Sequence, residues 1–497
     1  MSQIKRHVDY RAPKKWIGVL LAVLVVPALA LASSEAEGGG DHLGRILPLW
    51  SVIPFIGILL SIAIFPLVAP TFWHHHFPKV SAAWAIIFAV PFLIAYRGEA
   101  YHEIVHIVLV DYVPFIIVLW GLFTIGGGIV LRGTLVGTPA VNTILLLIGT
   151  LLASWVGTTG AAMLLIRPII RANAWRKNKK HIIIFFIFLV ANIGGSLTPL
   201  GDPPLLLGFI HGVPFFWTLR LIVPMGFVVL ILLTIFYLLD SFFLKREGGT
   251  RPTTEGGEPI RLEGVHNFLF LGGVLALVYM SGTLELAGVS ILGVHIPWQD
   301  IYRNLGIILM LWLSLKTTRW ELRKANEFTW APILEVAYLF AGIFITIVPA
   351  LAMLRAGSEG ALAFIIDNVE ERWHYFWVTG VLSSFLDNAP TYLTFFNTAL
   401  GKLHLTEGEV GIFLAGAATE GNLLVRLQTF ESFLVAISLG AVFMGANTYI
   451  GNAPNFMVRS IAEENKIQMP SFFGYMFWSV LILVPIFVLV TFVFLRQ

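Results

Sequence analysis

Leu197-Thr-Pro-Leu-Gly-Asp-Pro-Pro-Leu-Leu-Leu207 lies inside a long apolar run, and Asn447-Thr-Tyr-Ile-Gly-Asn-Ala-Pro-Asn-Phe-Met457 repeats its pattern far downstream. Laid side by side without a gap, the stretches match at Thr198 and Thr448, at Gly201 and Gly451, and at Pro204 and Pro454, with Asp202 opposite Asn452. Helix breakers and a carboxylate are most costly inside hydrophobic segments. Glycine and proline interrupting such segments at corresponding places in two halves of a chain point to a transporter's binding site.

The surrounding composition agrees. Of 497 residues, 57% are hydrophobic and only 12% charged, against about 25% charged in water-soluble domains. The chain therefore reads as an integral membrane protein with many helical spans. The net charge of +3 needs no nucleic acid, because membrane proteins gather Lys and Arg in cytoplasmic loops. Absence of Cys excludes disulfides, thiolate metal sites and cysteine nucleophiles. Residues 1–33 carry Lys5, Arg6, Arg11, Lys14 and Lys15 before the apolar run Trp16 to Leu31. This reads as a secretory signal or as an uncleaved first helix, and either leaves Ser33 outside.

About 20 apolar residues cross a bilayer as a helix. Crossings are expected near 47–71, 79–97, 104–131, 181–210, 213–242, 265–282, 304–317, 330–353, 428–458 and 471–495. Apolar segments near 141–166 and 375–398 are each interrupted by a polar tip and read as re-entrant hairpins. This places Arg167, Arg171, Arg176, Lys177, Lys179 and Lys180 in one cytoplasmic loop, Lys245, Arg246, Arg251 and Arg261 in a second, and Arg319, Arg323 and Lys324 in a third. The expected fold class is an all-α polytopic membrane protein with two inverted repeats of five transmembrane helices, residues 47–242 and 265–495, joined by a cytoplasmic linker at 243–264. Each repeat would contain a hairpin (141–166; 375–398) and a broken helix (181–210; 428–458), the plan of secondary transporters. The expected location is the inner (plasma) membrane, with the C-terminus outside.

The hairpin tips correspond as well: Gly157-Thr-Thr-Gly-Ala-Ala-Met-Leu164 against Leu386-Asp-Asn-Ala-Pro-Thr-Tyr-Leu393, which sets Thr158 opposite Asp387 and Thr159 opposite Asn388. Two tips and two breaks would thus converge, offering Thr158, Thr159, Asp387, Asn388, Thr198, Asp202, Thr448 and Asn452, with Ser383 and Ser384 just before the second tip. Irregular backbone at membrane depth persists only where protein buries it or it lines a wet cavity. Its carbonyls, with hydroxyls, amides and a carboxylate, suit a hard cation. Asp202 and Asp387 are the expected ion- and proton-binding groups, since intramembrane carboxylates are functional by default. The plain alternative is that Asp202 and Asn452 cap restarting helices.

Asp111 and Glu335 each fall near the start of the third crossing of a half and read as proton relays or interface anchors. Asn192 is placed to satisfy backbone groups freed at the first break. Glu420, Asn422 and Arg426 read as a solvated connector. His74, His75 and His76, on an expected cytoplasmic turn, lack the spacing of a formed metal site. No phosphate-binding loop, catalytic triad context or HExxH is present, so an enzyme is not expected and transport would draw on ion gradients.

With the tip Ser383-Ser-Phe-Leu-Asp-Asn-Ala-Pro390 and the break Gly194-Gly-Ser-Leu-Thr-Pro-Leu-Gly-Asp202, the chain resembles the NhaD-type sodium/proton antiporters. These belong to the ion transporter superfamily, which also contains citrate and dicarboxylate carriers and arsenite permeases. The resemblance covers about residues 47–495. It implies a homodimer in membrane lipid, a mobile transport domain beside a scaffold, Na+ and H+ as the moving species, sodium at Asp202, Asp387 and Asn388, and no cofactor. NhaD-like sequences follow the Gly-Asp pair with hydroxyl residues, whereas Pro203 and Pro204 stand here, which removes candidate ligands. The expected function is exchange of sodium or lithium for protons. The alternative is a cation-coupled carrier of an organic anion such as citrate or a dicarboxylate, although a fixed aspartate at the tip would repel a dianion.

Overall fold

The computed structural model describes residues 39–248 and 258–496. Residues 1–38, with the expected secretory signal or first helix at 1–33, and linker residues 249–257, with Arg251, lie outside the described residues. The protein is an all-α polytopic membrane protein: among the described residues, eight helices are long and apolar enough to cross a bilayer.

The first half opens with α1 (Gly39–Ile46) and α2 (Ile53–Val68), then α3 (Pro70–His106), a π-helical segment at Ile107–Tyr112, and α4 (Val113–Gly126). Pro70–Gly126 is one 57-residue helical run, broken at Arg97, whose φ of 44° and ψ of −108° turn the chain beside Gly98. His74, His75 and His76 therefore lie inside α3 rather than on a turn between crossings. Pro70 at the start of α3 explains the difference, because a proline in a helix's first turn fixes φ without losing a needed donor. The imidazoles of His75 and His76 bond carbonyls one turn back.

Next come α5 (Pro139–Val156) and α6 (Thr158–Ala172), which pack as a hairpin, then α7 (Lys180–Leu189), a 3₁₀ turn at Ile193–Leu197, α8 (Pro203–Ile210) and α9 (Ile222–Glu247). α7 is apolar on every face, as a helix enclosed by others must be. The segment Lys180–Leu197 is 94% buried, against 33% for the final helical segment Phe472–Leu495. The first break thus sits at the centre of the molecule.

The second half runs α10 (Asn267–Ser281), α11 (Trp298–Thr317), α12 (Trp320–Ala325), α13 (Ala331–Arg355), α14 (Ala363–Asn368), the hairpin α15 (Arg372–Phe385) and α16 (Asn388–Leu403), α17 (Glu407–Leu414), α18 (Gly421–Met444), a 3₁₀ turn at Gly445–Asn447, α19 (Ala453–Glu464) and α20 (Phe472–Val490). Two short antiparallel ribbons lie outside the sequence reading. β1 (Val130–Arg132) pairs with β2 (Arg261–Glu263), and β3 (Gly288–Ile291) with β4 (Val294–Pro297).

The halves exchange partners. α6, which follows the first tip, packs on α19 after the second break, and α16, which follows the second tip, packs on α8 after the first. At the far end of the first hairpin a buried network fixes its base. Arg176 Nη2 and His181 Nε2 each lie 2.8 Å from Asp240 Oδ1, and Asn142 Nδ2 donates to Asp240 Oδ2 at 2.9 Å. This ties the start of α5, the start of α7 and the end of α9 together.

Candidate ion-binding site

The two breaks carry the same backbone chemistry. Thr198 Oγ1 donates to the Ser154 carbonyl on α5, and Thr448 Oγ1 donates to the Ser384 carbonyl on α15. Each threonine hydroxyl then accepts from the amide two residues on, Leu200 N at 3.2 Å and Ile450 N at 3.2 Å. Asp202 (φ −145°, ψ 144°) and Asn452 (φ −153°, ψ 140°) both occupy the extended position before the helix restarts. Gly201 is required by close approach: a Cβ there would lie 2.2 Å from the Gly195 carbonyl oxygen. Pro203 and Pro204 fill the first turn of α8, where proline removes no needed donor.

The shared bonds to Ser154 and Ser384 set the register of the tips. Counted from these serines, Gly157 stands opposite Asp387 and Thr158 opposite Asn388, one residue away from the gapless alignment of the sequences. Both α6 and α16 begin at these second positions, Thr158 and Asn388. The sequences conceal this because one tip turns on glycine (Gly157, φ 79°) and the other on an aspartate cap, whose Oδ1 accepts from Ala389 N at 3.1 Å.

Asp202 is the centre of the assembly and is 2% exposed. Its Oδ1 accepts from Thr158 Oγ1 at 3.1 Å and from Asn452 Nδ2 at 2.9 Å, and its Oδ2 accepts from Asn388 Nδ2 at 2.6 Å. Both tips and both breaks therefore meet on one carboxylate. The side chain makes no capping bond to α8, so the simple helix-cap reading does not describe it. Burying a carboxylate costs several kcal/mol, and each hydrogen bond to a charged group returns about 1.5–3 kcal/mol. The partners of Asp202 are two amides and a hydroxyl, and no Lys, Arg or His side chain is among them.

Behind this shell Asn192 donates to the Ile187 carbonyl at 2.8 Å and to Asn455 Oδ1 at 2.7 Å, and accepts from Asn452 at 3.3 Å. Asn455 in turn donates to the carbonyls of Gly445 and Thr448 at 2.8 and 2.9 Å. The expectation for Asn192 concerned freed backbone, which it meets at Ile187. Asn455 and Ser154 were not singled out from the sequence, although Asn455 stands three residues after Asn452 and Ser154 three before Gly157.

The remaining candidates divide. Asp387 is half-buried, close enough to Asp202 to repel it electrostatically, and bonded only through its cap and its backbone carbonyl. Ser383 and Ser384 donate to the carbonyls of Ala441 and Met444, fastening α15 to α18. Thr159 is half-buried and is not one of Asp202's partners. Glu335 is exposed on α13 and is not one of Asp202's partners. Arg426 closes the end of α16 by donating to the carbonyls of Leu403 and His404. Asp111 lies in the π-helical segment and faces His211, not Asp202.

Two buried amide oxygens, Asn388 Oδ1 and Asn447 Oδ1, have no hydrogen-bond partner. Buried acceptors are rarely left so, and either a water or a cation would complete them. Among the described residues no group of three or more His, Cys, Asp or Glu is placed to hold a metal ion, and the candidate ligands here are neutral oxygens together with the carboxylates of Asp202 and nearby Asp387. That set fits an alkali cation better than a tightly held divalent ion.

Crossing helices, mid-chain breaks and a buried carboxylate held by both hairpin tips define a membrane transporter. Residues 44–495 match the family described as "Putative citrate transport" (CitMHS_2), and the chain belongs to that family. No curated protein matches the chain.

Proposed function

We propose that this protein is a secondary transporter driven by ion gradients, and that it exchanges sodium or lithium for protons at Asp202. The carrying observation is the closure of both tips and both breaks on this one buried carboxylate, beside the Asn388 amide oxygen, which has no partner. A proton or an alkali cation satisfies such a group, and each expels the other. Asp387, Asn388, Thr158, Thr198, Thr448 and Asn452 support the site as ligands or as struts for the tips, with Asp387 holding the second tip in place through its cap. The two halves act as an inverted repeat in the inner membrane, with the C-terminus outside, and the protein works as a homodimer.

A second reading is supported by the family match: cation-coupled transport of citrate or a related carboxylate. A free polycarboxylate would be repelled by Asp202, so on this reading the anion arrives with a cation or a proton already on the site. Proteoliposomes containing a pH-sensitive dye separate the two. For the exchanger, a sodium pulse without organic substrate moves protons in the opposite direction, and Asp202→Asn abolishes the signal. Silence to sodium, with uptake of labelled citrate in its place, would establish the second reading and overturn the first.

A further inference from the structure

Asp202 caps the start of helix α8 and His211 caps its end, about 14 Å further on at 1.5 Å per residue. At that end the structure holds a second charged assembly, which shares no residue with the site. His211 is 6% exposed and bridges two carboxylates: Nε2 lies 3.0 Å from Asp111 Oδ1, and Nδ1 lies 3.0 Å from Glu407 Oε2. The Nδ1 contact is an aligned hydrogen bond. The Nε2 contact is close without alignment, which leaves both of its atoms formally unpartnered. Asp111 is 4% exposed and belongs to the π-helical segment Ile107–Tyr112, a local irregularity that is frequent at functional sites.

The surrounding charges come from two more elements, and α16 packs beside them. Arg355, at the end of α13, lies 3.6 Å from Glu407 Oε1 and donates to Asn397 Oδ1 on α16 at 2.7 Å. His106 and Glu103, at the end of α3, line a polar cavity of about 20 Å³ together with Asp111 and Arg355, room for about one water. The His102 ring lies 6.1 Å from that of His106, and the Phe396 ring of α16 lies 6.0 Å from His211.

With both carboxylates ionised, an imidazole with a carboxylate oxygen 3.0 Å from each nitrogen is satisfied at both as imidazolium, because the neutral ring has one donor and turns a lone pair toward the other oxygen. We propose that His211 is a protonation-controlled latch that fastens the Asp202-bearing helix α8 to α17 and to the π-helical segment carrying Asp111. Protonated, the ring holds all three elements together. Deprotonated, it loses one arm, and α8 is released at the end remote from Asp202. α8 is a single helix of eight residues with Asp202 at one end and His211 at the other, which is the route by which release at His211 would reach the site. The latch rests on the reading of α8 as part of the transport site, but its test needs no substrate.

The experiment is hydrogen–deuterium exchange of the purified full-length protein across pH, corrected for the intrinsic pH dependence of exchange, reading peptides over residues 203–215 and 404–415. In the wild type, exchange is expected to rise at least about fivefold in a single step as pH increases. His211→Gln is expected to exchange fast at every pH, and His106→Gln to keep the step. A step that survives in His211→Gln, or is lost only in His106→Gln, would overturn the latch. Should His211→Gln fail to fold, Asp111→Asn and Glu407→Gln decide: each removes one carboxylate and is expected to move the step to lower pH, and an unmoved step in both sinks the proposal. A failed latch leaves the transport reading intact, and silent proteoliposomes leave the latch intact.

Discussion

The amide of Asn388 donates to Asp202 Oδ2 at 2.6 Å across 186 residues of sequence. This bond joins the second hairpin tip to the first helix break. Any movement of the second hairpin relative to the first break must either break it or carry both residues along, so it reports directly on the integrity of the site.

Asp202→Asn keeps the shape of the side chain and removes its charge. The variant is expected to fold, with the helical circular dichroism of the parent, and to lose cation-induced stabilisation. At a cation concentration of about 100 times Kd the parent should gain about 2.7 kcal/mol. Thermal unfolding in sodium chloride against choline chloride measures this, and equal sodium shifts in both proteins would remove Asp202 from the site.

Competition at one carboxylate fixes the sign of the pH effect. Acid supplies the proton that displaces the cation, so apparent sodium affinity falls as pH falls, by about tenfold per unit once the carboxyl is mostly protonated. Sodium titrations of dye-loaded proteoliposomes at several pH values should show this slope. Affinity independent of pH would mean that the proton and the cation occupy different groups.

Thr158→Val replaces a hydroxyl by a methyl of similar size and leaves Asp202 Oδ1 with Asn452 alone. Loss of a hydrogen bond to a charged group, about 1.5–3 kcal/mol, predicts transport about 10- to 100-fold weaker, with Thr158→Ser close to normal. Initial exchange rates over a range of sodium concentrations distinguish the pair.

Backbone approach at the break is tested by Gly201→Ala, whose Cβ would fall 2.2 Å from the Gly195 carbonyl oxygen. This variant is expected to lose transport and to unfold at lower temperature. Gly226→Ala, on α9 with open space around the added carbon, is expected to be neutral or slightly stabilising, as alanine favours a helix. Matching melting curves for the two variants would contradict the packing described at the break.

Asp240→Ala leaves Arg176 and His181 facing a void at the base of the first hairpin. Breaking a buried pair by removing one partner typically costs about 3–5 kcal/mol. Denaturation of the purified protein should show a loss of this order, and a change under 1 kcal/mol would indicate that the network is not a structural tie.

Much of this arrangement was legible in the chain. Thr198, Asp202, Thr448 and Asn452 were marked by a repeated motif in apolar surroundings, because a membrane tolerates broken backbone only where something satisfies it. The apolar runs likewise marked the helices. Other features were not legible. Pro70 begins a helix that absorbs His74 to His76, and the tips register one residue away from their alignment. His211 gave no signal, since a lone histidine at a helix end has no periodicity or spacing to distinguish it.

Composition and hydrophobic runs by themselves determined a bundle of membrane-crossing helices, because each span must satisfy its own backbone in lipid and so writes itself locally. The mirrored motifs determined where the helices break. Which carboxylate stands at the centre was decided only by the tertiary structure. Asp202 and Asp387 look equivalent as residues, but the packing of α6 on α19 and of α16 on α8 brings three donors to the first and leaves the second half-buried on its own cap. Hydrogen bonds between residues 44 to 250 positions apart depend on how helices pack against one another, and no local stretch of sequence encodes that.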